Sequence, residues 1–518
     1  MKAIAGILFV FVTVDISFPT TTAQLNIEAV QIVKPTKTHS LQYVKDNKLE
    51  EILNSDEIKD RYVAVVSIVG LVQSGKSFLL NLFLNYLRET YQIFNPFTNE
   101  TYESDWMNMN VTNGFNTTQN RNGTTKGIWA WPEIFIHDNI TFGTESGNKV
   151  AIILLDTEGL FHIDTDLRHN TIIFALSTMF SSMQGYNVFK DVNSDTMQFL
   201  DIFSTYTVYG SSLMATQSTQ STVNPFQDFY FIVRDSDHLD ESENVMLNRI
   251  FPDDDNDQNR EMKARIKSVF KKIRAFQMPH LGGNVSMATF NGDAALIDQR
   301  FKDKVATVVT DVLAPESIVI KEINGERVKA KDLAHFLKSF TDIVENNVTI
   351  ATTLVEVLAN ASNWMVYENY VEYYDDLMRR NFNSIANTSR PYFQNDVLHQ
   401  IHLENKNTSM CQFKNRIKLG GEKLASPFEK MLNNTIDEHF INFRDTNDKM
   451  RLEFLRERDT TLSKLDGKQL WILVSLVVAV AFFAGVQTLR KKPEYFSRCR
   501  KAQTPNQMKA VSESTTKA

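Results

Sequence analysis

The sequence predicts an α/β P-loop domain, followed by an α-helical bundle and a single C-terminal transmembrane helix. Three observations carry this. Residues 63–69, Val-Ala-Val-Val-Ser-Ile-Val, run into Gly70-Leu-Val-Gln-Ser-Gly-Lys-Ser77, and residues 78–86 leave the turn with helical character. Two more β-rich apolar runs follow at 150–155 and 229–233, which a buried sheet needs. Beyond them apolar residues recur at helical spacing, and 470–489 is a run of mostly apolar residues.

The glycine turn is G-x-x-x-x-G-K-S placed between strand and helix, which is the arrangement that cradles phosphate. Gly70 and Gly75 let backbone N–H groups curl around phosphate oxygens. Lys76 brings a positive charge, Ser77 can ligate Mg²⁺, and the helix start adds its partial positive charge. The candidate nucleotide contacts here are Gly70, Ser74, Gly75, Lys76, Ser77 and Phe78.

A chain of 518 residues, 42% hydrophobic and 23% charged, has material for two or three domains. Its net charge of -7 gives no electrostatic reason for a nucleic-acid partner, and that class is set aside. Residues 1–23 read as a secretory signal, with Lys2, an apolar stretch over 3–14 and Thr21-Thr-Ala23 as cleavage site. A buried or membrane-touching segment is the alternative reading. Eleven N-x-S/T sequons suggest a glycoprotein, with Asn110, Asn116 and Asn122 foremost. Cys411 and Cys499 lie on opposite sides of the C-terminal apolar run, so no disulfide within the folded part is expected.

Residues 108–122 are asparagine-rich without apolar periodicity and read as a mobile loop. Just after it, Thr125 is the first candidate, and Thr124 the second, to reach Mg²⁺ and a terminal phosphate. The run 150–155 ends in Asp156-Thr-Glu-Gly159, where a carboxylate at a strand end can hold a metal-bound water and the Gly159 N–H can meet a terminal phosphate. The run 229–233 ends in Arg234-Asp235. The Asp235 carboxylate can accept two hydrogen bonds from the N–H edge of guanine, which adenine does not offer.

Gly70–Ser77, Asp156–Gly159 and Arg234-Asp235 together resemble the atlastin and guanylate-binding-protein branch of the dynamin-like large GTPases, most strongly atlastin. Phe174-Ala-Leu-Ser-Thr-Met-Phe-Ser-Ser182 and residues 315–325 resemble atlastin, while 125–129 and 156–160 look more like guanylate-binding proteins. The likeness runs over about residues 27–465. It implies a large dynamin-like G domain with GTP as substrate, Mg²⁺ as cofactor, a nucleotide-dependent homodimer, and tethering or fusion of membranes, of the endoplasmic reticulum foremost. Carried over residue by residue, the catalytic set is Gln73, Lys76, Thr125 and Gly159, the metal set Ser77, Thr125 and Asp156, and the base-reading pair Arg234 and Asp235. One departure stands out. The fourth loop residue of that branch is an arginine finger, typically worth about 10³ to 10⁵ in rate, and here it is Gln73, so turnover is expected to be slow. Arg121 is the alternative source of that charge.

Further on, Leu354, Leu358, Ala361 and Met365, then Phe428, Leu432, Ile436, Phe440 and Phe443, recur at helical spacing, and Ser426-Pro-Phe-Glu429 reads as a capping box opening the second helix. The expected layout is a GTPase domain over 27–340, a helical middle domain over 341–465, a transmembrane helix over 470–489 and a basic tail over 490–518. The single span implies a lipid bilayer as partner and a membrane location. The sequons place the G domain outside the cytosol, whereas GTP supply and the family likeness place it in the cytosol. The competing function is a catalytically weak or pseudo-GTPase acting as a binding or adhesion module.

Overall fold

The computed structural model describes residues 27–484 apart from 37–40, 46, 95–104, 118–124, 143–144, 163–164, 215–223, 254–255, 284, 286–289, 346–349, 417–420, 464–466, 468–470 and 473. The expected signal over 1–23, Thr124, Arg121 and the tail over 490–518 lie outside the described residues. The chain divides into two compact units, one within Met1–Tyr370 and Met410–Leu432, the other within Val371–Ser409 and Asn433–Ala518.

The first unit is built on a sheet. In chain order its strands and helices are β1 (Val30–Pro35), β2 (Leu41–Tyr43), α1 (Lys48–Leu53), β3 (Tyr62–Gly70), α2 (Lys76–Thr90), β4 (Gln92–Phe94), β5 (Ile128–Ala130), β6 (Ile134–Phe142) and β7 (Glu145–Thr157). Then come α3 (Leu167–Phe180), β8 (Met183–Phe189), α4 (Ser194–Met214), β9 (Phe226–Arg234), α5 (Glu243–Ile250), α6 (Asp257–Val269), β10 (Phe270–Gln277), α7 (Gln299–Leu313), the short pair β11 (Glu322–Ile323) and β12 (Glu326–Arg327), and α8 (Ala330–Glu345). Among the described residues the main sheet has ten strands in the order β10-β9-β8-β3-β7-β5-β1-β2, with β6 on β7 and β4 on β6. From β10 through β7 the pairing is parallel; β5, β1, β2, β6 and β4 pair antiparallel.

The parallel strands are covered on both faces, which is why they read as unbroken apolar runs rather than alternating ones. Along β3, Val63, Val65 and Val69 enter one core and Ala64, Val66 and Ile68 the other. The first core takes α3, α4, α6 and α8 and is rich in phenylalanine, with Phe229 stacked on Phe270 at 4.6 Å and Phe174 edge-on to Phe203 at 4.9 Å. The second takes α2 and α7. All three sequence-predicted strands form, each longer than its apolar run because pairing carries on where hydrophobicity stops.

Part of the asparagine-rich stretch departs from its reading as a mobile loop. Val111 and Phe115 are fully buried, and the Asn81 amide donates to the carbonyls of both at 3.0 Å. Two apolar anchors hidden among asparagines pin it, a pattern with no periodicity to reveal it.

Three helices follow: α9 (Ile350–Ile385), α10 (Asn395–Asn415) and α11 (Gly421–Ser463). In the second unit Tyr374, Met378, Leu398 and Ile436 are buried. There Tyr374 Oη meets His402 Nδ1 at 2.8 Å, and the buried Asn447 amide bonds both backbone groups of Phe393. The capping box at Ser426 does not open a helix, because α11 begins at Gly421 and carries Pro427 inside it. Pro427 is the seventh residue of α11, past the first turn where a missing N–H is harmless, so the helix gives up one backbone hydrogen bond there.

The transmembrane helix over 470–489 is not borne out. Among the described residues no helix is long and apolar enough to cross a membrane. Residues 470, 473 and 485–489 lie outside the described residues. The membrane anchor, the lipid bilayer as partner, and the single-pass endoplasmic reticulum location fall with the span.

Candidate functional site

In the parallel part of the sheet β3 has β7 on one side and β8 on the other, so the strand order reverses about β3, and the carboxyl ends of these strands open on a crevice. Gly70, Asp156, Asn187 and Arg234 all stand at those ends. The register makes the meeting close: Ile68 pairs with Asp156 across β3 and β7, Gly70 with Asn187 across β3 and β8, and Phe189 with Arg234 across β8 and β9.

The loop after β3 is tightly held. Gly70 has φ +151°, and a Cβ there would lie 2.2 Å from the Asn187 carbonyl oxygen, so only glycine fits. Ser74 Oγ donates to the Leu71 carbonyl at 2.7 Å, and the buried Asn187 amide donates to the Ser74 carbonyl at 2.7 Å and to Ser74 Oγ at 3.0 Å. Gln73 is exposed at the crest with φ +58°. Then α2 begins, its first-turn N–H groups lacking intrahelical acceptors. The Phe78 ring is buried against Phe290 and Phe301, so this residue offers a nucleotide its backbone rather than its side chain.

Lys76 is buried, with Nζ donating to the Leu71 carbonyl at 2.9 Å. Burial pulls its ammonium down to about 8, against the opposing pull of Asp156 and Glu158. Burial likewise raises the Asp156 carboxyl, opposed by Lys76 and by the hydroxyls of Ser77 and Thr125. Those hydroxyls converge: Ser77 Oγ and Thr125 Oγ1 donate to the same Asp156 Oδ2, at 2.7 and 3.0 Å. The structure thus brings together the three residues predicted as metal ligands, which approach from α2, from the segment before β5 and from β7. Two hydroxyls and a carboxylate are the hard oxygen donors that suit Mg²⁺.

Gly159 packs backbone against backbone, a Cβ on it falling 2.4 Å from Val72 Cα. Leu160 N–H donates to the Gly70 carbonyl at 2.9 Å and Val72 N–H to the Leu160 carbonyl at 3.1 Å, so the segment after Asp156 is stitched to the phosphate loop. Arg234 is buried, its guanidinium 5.3 Å from the Phe301 ring centre and its Nη1 3.0 Å from where a Cβ on Gly75 would lie. Among the described residues its Nε and Nη1 have no hydrogen-bond partner, and burial holds its pKa below the ordinary arginine value. Buried donors at the back of a phosphate loop fit an anionic ligand. Asp235 beside it is half-buried with φ +52°.

Sequence reasoning missed Asn187 and the pair Glu158–His169. Asn187 lies in β8, whose sequence Met-Gln-Gly-Tyr-Asn-Val-Phe is too mixed for one more polar residue to stand out. Glu158 stands inside the predicted Asp156–Gly159 motif, but its partner comes from α3, which no spacing indicates.

With this geometry in hand, the profile of the guanylate-binding protein N-terminal domain matches residues 39–322. The chain belongs to the guanylate-binding-protein and atlastin branch of the dynamin-like large GTPases. Its relatives include atlastin of Drosophila melanogaster, 32% identical over 432 residues, which cover 81% of this chain and 75% of that protein. Atlastin-2 of Xenopus laevis is 28% identical over 445 residues, 84% of this chain and 73% of its own, and atlastin-1 of Bos taurus 29% over 446, 84% and 75%. It is a GTP-hydrolysing enzyme, with GTP as its substrate and Mg²⁺ as its metal.

Removing the Asn187 amide takes two hydrogen bonds from Ser74. Asn187→Ala is expected to weaken binding of a non-hydrolysable GTP analogue with Mg²⁺ about tenfold, or about 1.4 kcal/mol. Calorimetric titration checks this, and unchanged affinity would mean that the loop's own backbone holds its shape.

Proposed function

We propose that residues 27–340 form a GTPase domain and 341–465 a helical middle domain, and that the first binds GTP with Mg²⁺, hydrolyses it slowly and pairs with a second copy of the chain while nucleotide is bound. The observation that carries this reading is the convergence of Ser77 and Thr125 on Asp156 Oδ2.

In this reading Gly70, Ser74, Gly75 and Phe78 present backbone N–H groups to the phosphates. Buried Lys76 holds its proton more firmly once phosphate charge stands beside it. Ser77, Asp156 and Thr125 hold Mg²⁺, which when bound neutralises charge developing on the phosphate oxygens. Gly159 turns its N–H toward the terminal phosphate, and its tight seat against Val72 sets where that N–H stands. Arg234, wedged behind Gly75, supports the loop while Asp235 reads the guanine edge. Gln73 occupies the crest, where an amide can donate a hydrogen bond but adds no positive charge to the transition state.

Self-association is supported by apolar residues left exposed on the segments that carry the site: Leu71 on the loop, Phe161 after Gly159, Leu167 opening α3 and Phe189 closing β8. Sedimentation is expected to give a monomer without nucleotide and a dimer with the GTP analogue; one mass under both conditions would remove this part of the reading.

Base choice tests the Asp235 assignment. The purified protein is expected to bind the GTP analogue and to ignore the ATP analogue, and Asp235→Asn to lose most of that preference. Equal affinity of the parent protein for both purines would sink it.

Rate tests the loop crest. Gln73→Arg is expected to raise kcat about tenfold or more while nucleotide affinity changes less than about twofold, because the added charge acts on the transition state. A parent kcat already brisk and indifferent to Gln73→Ala would assign that role to another group.

A further inference from the structure

Phosphate and metal binding leave the Glu158–His169 pair without a task, although it is buried within reach of the site. Gly127 and Glu158 exchange hydrogen bonds in both directions. Glu158 N–H donates to the Gly127 carbonyl at 2.7 Å, and Gly127 N–H donates to Glu158 Oε2 at 2.8 Å. The same Oε2 lies 3.2 Å from His169 Nε2. The imidazole is 5% exposed, and its backbone is fixed because His169 N–H donates to Asp166 Oδ1 at 2.7 Å, the cap of α3. One carboxylate oxygen thus faces a backbone donor from the segment carrying Thr125 and a ring nitrogen from a helix.

Thr125 stands two residues before Gly127 on the same segment. Lys126 and Gly127 follow it directly, and β5 begins at Ile128. The Lys126 carbonyl accepts from Gln31 Nε2 at 2.8 Å and Trp129 Nε1 at 2.9 Å, while the Gly127 N–H donates to the Glu158 side chain, which has rotamers to choose from. A buried carboxylate turns toward water unless a donor holds it. Burial pushes the Glu158 carboxyl up, yet His169 and the Gly127 N–H outweigh it and keep it below the ordinary glutamate range. A ring that merely filled space would not need to aim a nitrogen at an oxygen already in use.

We propose that His169 is a positioning residue for GTP hydrolysis: by holding Glu158 Oε2 it fixes the Gly127 N–H, and thereby keeps Thr125 beside Asp156. The inference rests on the reading of Thr125 and Asp156 as the groups that face metal and phosphate. It makes α3 a structural support of the segment carrying Thr125, and the substrate is the same Mg²⁺–GTP.

The test uses the full chain. His169→Ala removes the nitrogen, and His169→Gln restores an amide nitrogen near the place of Nε2. For His169→Ala we expect kcat to fall about tenfold with KM for GTP changed less than about twofold, since Lys76 and Ser77 are untouched. Amide exchange at Gly127 is expected to speed up about tenfold, and His169→Gln to recover most of both losses. Should His169→Ala fail to fold, His169→Leu fills the space without a donor and takes its place, with the same losses expected. Wild-type kcat and Gly127 protection in the donor-less variant overturns the proposal; so does a kcat loss with Gly127 protection intact, or a folded His169→Gln no better than His169→Ala. Failure of the underlying reading looks different: Thr125→Ala and Asp156→Ala would leave kcat and its Mg²⁺ dependence unchanged, while Gly127 protection would still drop in His169→Ala.

Discussion

The parallel pairing of β3 with β7, Ile68 opposite Asp156, is the constraint on which the site depends. Thr157 Oγ1 locks that register from the side, donating to the Ile68 carbonyl at 2.9 Å in the buried interior. Because neighbouring strands lie about 4.8 Å apart, a carboxylate at the end of β7 stands beside the loop that leaves β3, within reach of the first turn of α2. A slip of one residue would turn Asp156 to the opposite face and exchange the two cores, since alternate residues of β3 belong to different ones. The hydrophobic pattern that fixes the fold therefore also fixes the distance between Ser77 and Asp156.

Around that pair the site is built by crowding as much as by hydrogen bonding. Gly70 and Gly159 sit where no side chain fits, Lys76 and Arg234 are buried cations, and Asp156 is a carboxylate whose charge is opposed by burial. Each of these is costly in a protein without a ligand to recognise, and together they concentrate poorly neutralised charge at the carboxyl edge of one sheet. A phosphate-bearing ligand with a divalent cation answers all of them at once.

The legible part of this was local. The phosphate loop, the strand ending in Asp156 and the strand ending in Arg234 each announce themselves within a dozen residues, because glycine, charge and apolar runs act over that range. Thr125 was legible from its place just after the asparagine-rich stretch, but its contact with Asp156 depends on the chain folding back through β5. Asn187 and His169 escaped because their partners, Ser74 and Glu158, come from other elements and no spacing connects them. The stretch after Asn108 misled in the other direction: two buried residues, Val111 and Phe115, are too few to register as a pattern but enough to anchor it. The apolar run near the C-terminus was read as a span from composition alone, and among the described residues no helix is long and apolar enough to cross a membrane.

The two hydrogen bonds between the phosphate loop and Leu160 place a boundary within the segment that responds to nucleotide. Up to Leu160 that segment moves with the loop as one piece, like a hem sewn to cloth. Phe161 comes next, with φ +60° and its N–H on the Asn170 side chain of α3. In the proposed reading any swing of the downstream chain pivots there, so that Gly159 meets phosphate from a fixed post while Phe161 and the residues after it carry the message outward. Sensing and signalling are thereby divided between neighbours two residues apart.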